Sequence, residues 1–240
     1  MNSLAIYAGP SALQRITNEG FKPEHFKLMV GASGGPKWFV LFGLDRYLFG
    51  KFFSNRNEPL YTIGSSVGAW RMCCLAASDP VKCIERLADY YCHEDYSHMT
   101  TVKEVTESAR LMLEKILIDD SKATVVHNRV FKTHVVTVRS KGVNSSAGNS
   151  AHALHLGLSA VCNLFTRGSL HHFFDRSIFT TDMVSFPWSD SSEVDSISQL
   201  TEENLVEALL ASGSIPFVLE GVNNISGSGL GRYWDGGIMD

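Results

Sequence analysis

Short runs of β-branched and aromatic residues alternate along the chain with longer segments in which apolar residues recur every three or four positions. The first pattern is typical of strands and the second of amphipathic helices. Strands are predicted at residues 26–32, 60–64, 130–140, 176–182 and 232–237. Helices are predicted at residues 36–53, 67–78, 80–92, 102–117 and 201–212, with Thr201 as the N-cap of the last. This alternation favours an α/β fold in which helices flank a mainly parallel sheet.

Three segments rich in Ser, Gly, Asn and Asp interrupt this pattern, at residues 140–151, 189–201 and 223–231. Such a composition is typical of exposed loops. The flanking segments are too short to bury a core of their own, so we expect one domain that spans residues 1–240. In such a domain the functional groups should lie at the carboxyl ends of strands.

The composition is that of a globular protein with its own core, because 44% of the 240 residues are hydrophobic and 19% are charged. A net charge of −4 argues against nucleic acid as a partner, since phosphate binding requires a basic face. The sequence shows no signal peptide and no apolar run long enough for a membrane span, which predicts a cytoplasmic protein. Five cysteines, two of them adjacent, fit free thiols better than a disulfide framework. Without a C-x-x-C or H-E-x-x-H motif, we expect no metal.

The sequence Gly64-Ser65-Ser66-Val67-Gly68 is a G-x-S-x-G motif between a predicted strand and a predicted helix. That is the context of a nucleophile elbow, a sharp turn that exposes the central serine, here Ser66. Gly64 and Gly68 flank the turn, where a Cβ would crowd the neighbouring elements. The start of the next helix also favours negative charge beside Ser66. An ordinary strand–turn–helix junction is the alternative.

A second glycine-rich junction is GASGGPK at residues 31–37. It is not a P-loop, because Pro36 has no N–H to donate to a phosphate and Trp38 cannot bind Mg²⁺. Gly34 and Gly35 can instead bring backbone N–H groups close to a developing oxyanion. A glycine-rich turn without a ligand is the alternative.

The group that takes the proton of Ser66 must be a histidine or a carboxylate. A Ser-His-Asp hydrolase with an elbow keeps its histidine late in the chain, but no histidine follows His172. His152 and His155 lie on a helix-like stretch, where surface or packing roles are more typical. Asp235, in Trp-Asp-Gly-Gly at the end of a predicted strand, is the strongest candidate beyond them. A carboxylate within hydrogen-bond reach can act as a base, although a simple turn also explains D-G-G.

In this order the three motifs resemble those of the patatin-like phospholipases, which use a Ser-Asp dyad. The family's glycine-rich loop with a basic residue, its G-x-S-x-G and its D-G-[GA] are matched by residues 33–37, 64–68 and 235–237. ALLASGSIPFVLEGV at 208–222 is similar to the family's small-residue helix and Ile-Pro turn. The resemblance extends from about residue 26 to the chain end. It implies a three-layer α/β fold and lipid acyl hydrolysis without a metal or cofactor.

The resemblance also implies a role for each motif residue. Ser66 attacks an ester carbonyl, and Asp235 takes its proton and later activates water. Lys37 either attracts an anionic head group or has a structural role at the helix start. Three backbone N–H groups hold the oxyanion, those of Ser33, Gly34 and Gly35. The motif glycines are Gly64, Gly68, Gly236 and Gly237.

The chain departs from the family pattern in two places. Ser33 and Trp38 stand where the family's loop, G-G-G-x-R-G, has glycines. Family domains also continue past D-G-G, whereas this chain ends at Asp240. The second departure predicts either a truncated domain or one without the family's later elements.

Two other functions remain open from the sequence. One is an α/β-hydrolase esterase with a histidine base, which requires His152 or His155 near Ser66. The other is a lipid- or protein-binding domain that keeps the fold without turnover. The expected partner is a lipid or phospholipid substrate, with peripheral contact to a membrane.

Overall fold

The computed structural model describes residues 7–99, 101–142, 149–165, 167–185 and 192–239. Its strands are β1 Leu28–Gly31, β2 Leu60–Gly64, β3 Phe131–Ser140, β4 Phe174–Thr180, β5 Ser196–Gln199, β6 Val222–Asn223 and β7 Arg232–Asp235. Its α-helices are α1 Pro10–Glu19, α2 Phe42–Tyr47, α3 Val67–Ala76, α4 Pro80–His93, α5 Val102–Ile116, α6 Ser121–His127, α7 Asn149–Phe165, α8 Leu170–Phe173 and α9 Leu205–Ser212.

The strands form one mixed sheet with the order β1-β2-β3-β4-β5, and β7 pairs with β3 and β6. β1, β2 and β3 are parallel to one another, whereas β4 and β7 run antiparallel to β3. The expectation of a mainly parallel sheet is therefore correct for the first three strands only. β4 reverses because the chain leaves and re-enters the sheet at the same end, where Ser140 pairs with Phe174. Helix α7 lies in this excursion and begins at Asn149, inside the segment predicted as a loop at 140–151.

The prediction of a polar loop at 189–201 is wrong where β5 lies. This four-residue strand, Ser196–Gln199, pairs in parallel with β4 at the edge of the sheet. Ser196 and Ser177 share a hydrogen bond of 2.7 Å between their hydroxyl groups. The hydrophobic pattern does not mark this strand because most of its side chains are polar.

Two predicted helices have different internal structure from the expectation. The segment predicted as a helix at 36–53 is helical but changes geometry, from a 3₁₀ helix at Gly35–Leu41 through α2 to a π-helical turn at Leu48–Phe52. The segment predicted at 201–212 becomes a regular α-helix only at Leu205, so the prediction of Thr201 as its N-cap is wrong and Asn204 has that place. Thr201 still closes the turn before it, because its hydroxyl oxygen accepts a hydrogen bond of 3.3 Å from the Asn204 N–H.

The two faces of the sheet contribute to different apolar clusters. Val135 of β3 belongs to the main core, which α3, α4, α5 and α9 complete, whereas Val138 faces the opposite side. Side chains alternate between the faces of a strand, so neighbouring strand positions separate in this way. On the second face, Leu156 of α7 and Leu170 of α8 pack with Val138. Every residue of α3 is buried, which places this helix at the centre of the main core.

The described residues contain neither a membrane-spanning helix nor a cluster of metal ligands. None of their helices combines the length and apolar character that crossing a bilayer requires. No group of three or more His, Cys, Asp or Glu side chains there is arranged to hold a metal ion. The cysteines at 73, 74, 83 and 92 are free thiols, and the side chain of Cys162 lies outside the described part.

Candidate active site

Strand β3 brings the ends of β2 and β7 together. Its first five residues pair with β2, and three later ones pair with β7 on the same edge, opposite to β4. Because β2 is parallel to β3 and β7 antiparallel, the carboxyl ends of β2 and β7 approach Val136 from opposite directions. Gly64 pairs with Val135, and Asp235 pairs with Thr137. The residues that follow Gly64 therefore lie beside Asp235.

Ser66 occupies the turn between β2 and α3. Its φ is 56° and its ψ is −138°, and it is the N-cap residue of α3. A positive φ is uncommon at residues other than glycine. The Ser66 N–H donates a hydrogen bond of 2.9 Å to the hydroxyl oxygen of Ser212 and lies 3.0 Å from the Ser212 carbonyl oxygen. These contacts with the end of α9 hold the backbone at Ser66 in a sharp turn.

The two glycines of the G-x-S-x-G motif allow close contact between α3 and its neighbours. A Cβ at Gly68 would lie 2.0 Å from the carbonyl oxygen of Gly31, at the end of β1. A Cβ at Gly64 would lie 2.6 Å from the backbone nitrogen of Ala69. Both positions lack room for any side chain, so the packing of the turn requires glycine there.

Asp235 ends β7 and is only 6% exposed. Its Oδ1 accepts a hydrogen bond of 2.7 Å from the Gly237 N–H, within the 3₁₀ turn Gly236–Ile238. The same oxygen accepts a hydrogen bond of 3.2 Å from the Ser65 hydroxyl. The Asp235 N–H donates to the Ser214 carbonyl oxygen at 3.1 Å. The carboxylate is thus held by its own turn and by the residue before Ser66.

A cavity of about 460 Å³ collects most of the residues that the sequence singled out. Ser66 and Asp235 both line it. The glycine-rich loop adds four more lining residues, Ser33, Gly34, Gly35 and Lys37. Gly237 lines the cavity as well, together with Ile215, Pro216 and Ile238. The arrangement places Ser66, Asp235 and the glycine-rich loop around one space.

A buried ion pair connects the helical segment after this loop to the helix after Ser66. The Arg71 guanidinium on α3 donates two hydrogen bonds of 2.7 Å, one to each carboxylate oxygen of Asp45 on α2. Paired bonds of this kind fix direction as well as distance. Trp38, which departs from the family's loop pattern, is buried with its ring stacked on Phe39.

A protein-family model described as Patatin-like phospholipase matches residues 53–240. The chain belongs to the patatin-like phospholipase family. The matched part includes Ser66 and Asp235, whereas the glycine-rich loop at 33–37 precedes it. The comparisons with curated proteins and with solved structures gave no match.

The histidines considered as a base lie elsewhere in this patatin-like phospholipase domain. His152 lines a different cavity, together with Trp234. His155 packs against the ring of Phe174, with 5.3 Å between ring centroids, and burial lowers its pKa. Phe174 pairs with Ser140, five residues along β3 from the partner of Gly64, or roughly 17 Å at 3.3 Å per residue. Among the described residues, neither histidine lines the cavity of Ser66.

Two serines that contact the site of this patatin-like phospholipase were not assigned a role from the sequence. Ser212 accepts a hydrogen bond from the Ser66 N–H and donates one of 2.7 Å to the Val136 carbonyl oxygen. It is 146 positions from Ser66 along the chain and lies within the family-like stretch 208–222, which indicated no contact with Ser66. Ser65 lies inside the G-x-S-x-G motif, so its closeness to Ser66 was evident. Its contact with Asp235 depends on the fold.

Proposed function

We propose that this chain is a lipid acyl hydrolase that uses Ser66 as the nucleophile and Asp235 as the base. The observation that carries the proposal is the single cavity that both residues line together with the glycine-rich loop. The serine and the carboxylate come from different strands, and β3 aligns the ends of those strands. Family membership supports lipid esters as the substrate class.

The proposed reaction has two halves. In the first, Ser66 Oγ attacks the ester carbonyl carbon while the Asp235 carboxylate takes the hydroxyl proton. The bond from that carbon to the alcohol oxygen breaks, and Asp235 gives the proton to the departing alcohol. In the second half, Asp235 takes a proton from water, whose oxygen attacks the acyl carbon. The bond to Ser66 breaks, Ser66 regains a proton and the fatty acid leaves.

The loop supplies the proposed stabilisation of charge. Backbone N–H groups of Gly34 and Gly35, with that of Ser33, hold the negative carbonyl oxygen that develops in each half. Loss of one such donor typically raises the barrier by roughly 3 to 4 kcal/mol. Lys37 lines the same cavity, and its ammonium group attracts the phosphate of a phospholipid head group.

We also propose that the enzyme meets its substrate at a lipid surface through the turn at 215–218. Ile215 and Pro216 line the cavity, and Phe217 and Val218 follow directly. Ile215, Phe217 and Val218 are 47%, 66% and 50% exposed. Phe217 also has a φ of 68°, a strained conformation for an exposed aromatic residue. Apolar side chains beside the cavity can enter a bilayer surface while the ester reaches Ser66.

The dyad is tested by labelling the purified chain with a fluorophosphonate probe and mapping the adduct by mass spectrometry. We expect the adduct on Ser66 in the parent chain and no labelling of Ser66→Ala or Asp235→Asn. Ser54→Ala and Asp89→Asn change exposed residues and are the matched controls, which should label like the parent. Release of fatty acid from phosphatidylcholine should follow the same order.

Other outcomes distinguish the rival functions. If Ser66→Ala loses labelling but Asp235→Asn keeps it, the base is another group, and a histidine becomes the next candidate. Vesicle binding by a parent chain that neither labels nor hydrolyses esters would favour a binding domain without turnover. An adduct on a different serine would contradict the assignment of Ser66.

A further inference from the structure

Ser65 and Gly237 donate to the same oxygen of Asp235. The Ser65 hydroxyl lies 3.2 Å from Oδ1, and the Gly237 N–H lies 2.7 Å from it. Ser65 and Asp235 are 5% and 6% exposed, so water competes little for this contact. One donor belongs to the turn of Asp235 itself. The other comes from a residue 170 positions earlier in the chain.

The fold leaves Ser65 little freedom to move away from the carboxylate. Its N–H donates to the Gly31 carbonyl oxygen at 3.3 Å, which continues the pairing of β1 with β2 by one residue. On the other side, Gly236 packs directly against it. A Cβ at Gly236 would lie 2.7 Å from Ser65 Oγ and 2.6 Å from the Val136 carbonyl oxygen. A larger residue at 236 would therefore displace the hydroxyl from Asp235.

The two adjacent serines face different spaces. Ser66 lines the cavity that contains the glycine-rich loop. Ser65 lines a second, mostly apolar cavity of about 510 Å³, with Val30 and Val136 in its wall. The two serines therefore border different cavities, although they are adjacent in the chain.

We infer that Ser65 is a positioning residue, which orients the Asp235 carboxylate for proton transfer to and from Ser66. This inference rests on the proposed function. A carboxylate is planar and rigid, so two donors on Oδ1 also set the direction of Oδ2. Hydrogen bonds to the ionised form favour that form, and a base must be ionised to accept a proton. Ser65 thereby keeps Asp235 ionised and oriented as a base, while Ser65 itself forms no bond to the substrate.

The test compares Ser65→Ala and Ser65→Thr with the parent chain, using p-nitrophenyl butyrate and the fluorophosphonate probe over a range of pH. For Ser65→Ala we expect kcat to fall about 10- to 100-fold, as misplacement of a catalytic group does, with little change in KM. The acidic limb of its pH–rate profile should move to higher pH, because the carboxylate loses a donor. Ser65→Thr keeps a hydroxyl and should restore most of the rate and the parent profile.

Ser196→Ala is the matched control, because it removes a serine hydroxyl that hydrogen-bonds elsewhere, to Ser177 at the edge of the sheet. It should leave both the rate and the pH profile unchanged. If Ser65→Ala does not fold, Ser65→Cys has a similar size with a weaker donor and should show the same shift of the acidic limb.

Two results would overturn the inference. If Ser65→Ala kept the parent rate and pH profile, Ser65 would have a packing role only. A probe adduct on Ser65 would make it the nucleophile. Failure of the proposed function has a different signature, since Ser66→Ala and Asp235→Asn would then keep the parent activity whatever the Ser65 variants do.

Discussion

At the scale of single residues, the turn at Ser66 carries a conformational cost that its neighbours offset. A non-glycine residue in a sparsely populated region of φ and ψ costs on the order of 1–3 kcal/mol. The Ser66 N–H contacts with Ser212 and the close approach of Gly68 to Gly31 hold this conformation in place. The strained backbone therefore belongs to the proposed nucleophile, and contacts with Gly31 of β1 and Ser212 of α9 maintain it.

We predict that Gly68→Ala destabilises the protein and reduces labelling of Ser66. The added Cβ would lie 2.0 Å from a backbone oxygen that cannot move independently of β1. The free energy of unfolding should fall by at least the roughly 1–3 kcal/mol that overpacking of a core typically costs. Unfolding in urea measures this loss. Gly157→Ala, on the exposed side of α7 with open space around the glycine, should instead be about 0.5–1 kcal/mol more stable. Equal stability of the two variants would contradict this account.

At the scale of elements, the site depends on how strands and turns are joined. The edge of β3 aligns β2 with β7, and the turn after α9 then supplies Ile215 and Pro216 to the cavity wall. This turn therefore has two surfaces, one towards the proposed dyad and one towards solvent. The second surface carries Phe217 and Val218.

We predict that Phe217→Ser weakens binding to phosphatidylcholine vesicles by about 10- to 100-fold, since an aromatic side chain contributes roughly 1.5–3 kcal/mol when it leaves water. Cosedimentation with vesicles measures the effect, in a Ser66→Ala background that prevents hydrolysis. Leu230→Ser is the matched control, because Leu230 is 83% exposed and lies before β7, at the end away from Asp235. Equal losses in both variants would show nonspecific hydrophobic adsorption instead of binding through this turn.

At the scale of the whole molecule, the sheet encloses a titratable group at its centre. His134 of β3 is fully buried, and its Nδ1 lies 2.9 Å from the Thr62 carbonyl oxygen. Burial lowers the pKa of His134 below its ordinary value of 6.5, and the contacts with Thr62 and Asp182 offset only part of this effect. Between about pH 6.5 and the lower pKa of the folded state, His134 is protonated in the unfolded chain but neutral in the folded chain.

We therefore predict that stability decreases as the pH falls below about 6.5, by at most about 1.4 kcal/mol per pH unit for this one group. Urea unfolding at pH 7.5, 6.5 and 5.5 measures the slope. His134→Phe should reduce the slope, because the titrating group is gone. His171→Gln changes an exposed histidine and should keep the parent slope. An unchanged slope in His134→Phe would assign the effect to other groups.

The sequence by itself predicted the features that depend on near neighbours. Strand β2, the helix after it and the glycines at 64 and 68 follow from a local hydrophobic pattern and from the steric demands of a tight turn. Asp235 at a strand end was also evident, because D-G-G follows an aromatic run. The family was visible in the order of these motifs, and the family match supports that assignment.

The tertiary structure alone decided which of these pieces meet and how. The excursion through α7 returns the chain to the same end of the sheet and makes β4 antiparallel, which no local pattern could indicate. The contacts of Ser65 with Asp235 and of Ser212 with Ser66 join residues 170 and 146 positions apart. A small polar residue gives no periodic signal of such partners. Its role depends on the strand register that brings the distant backbone within hydrogen-bond distance, and that register is a property of the assembled sheet.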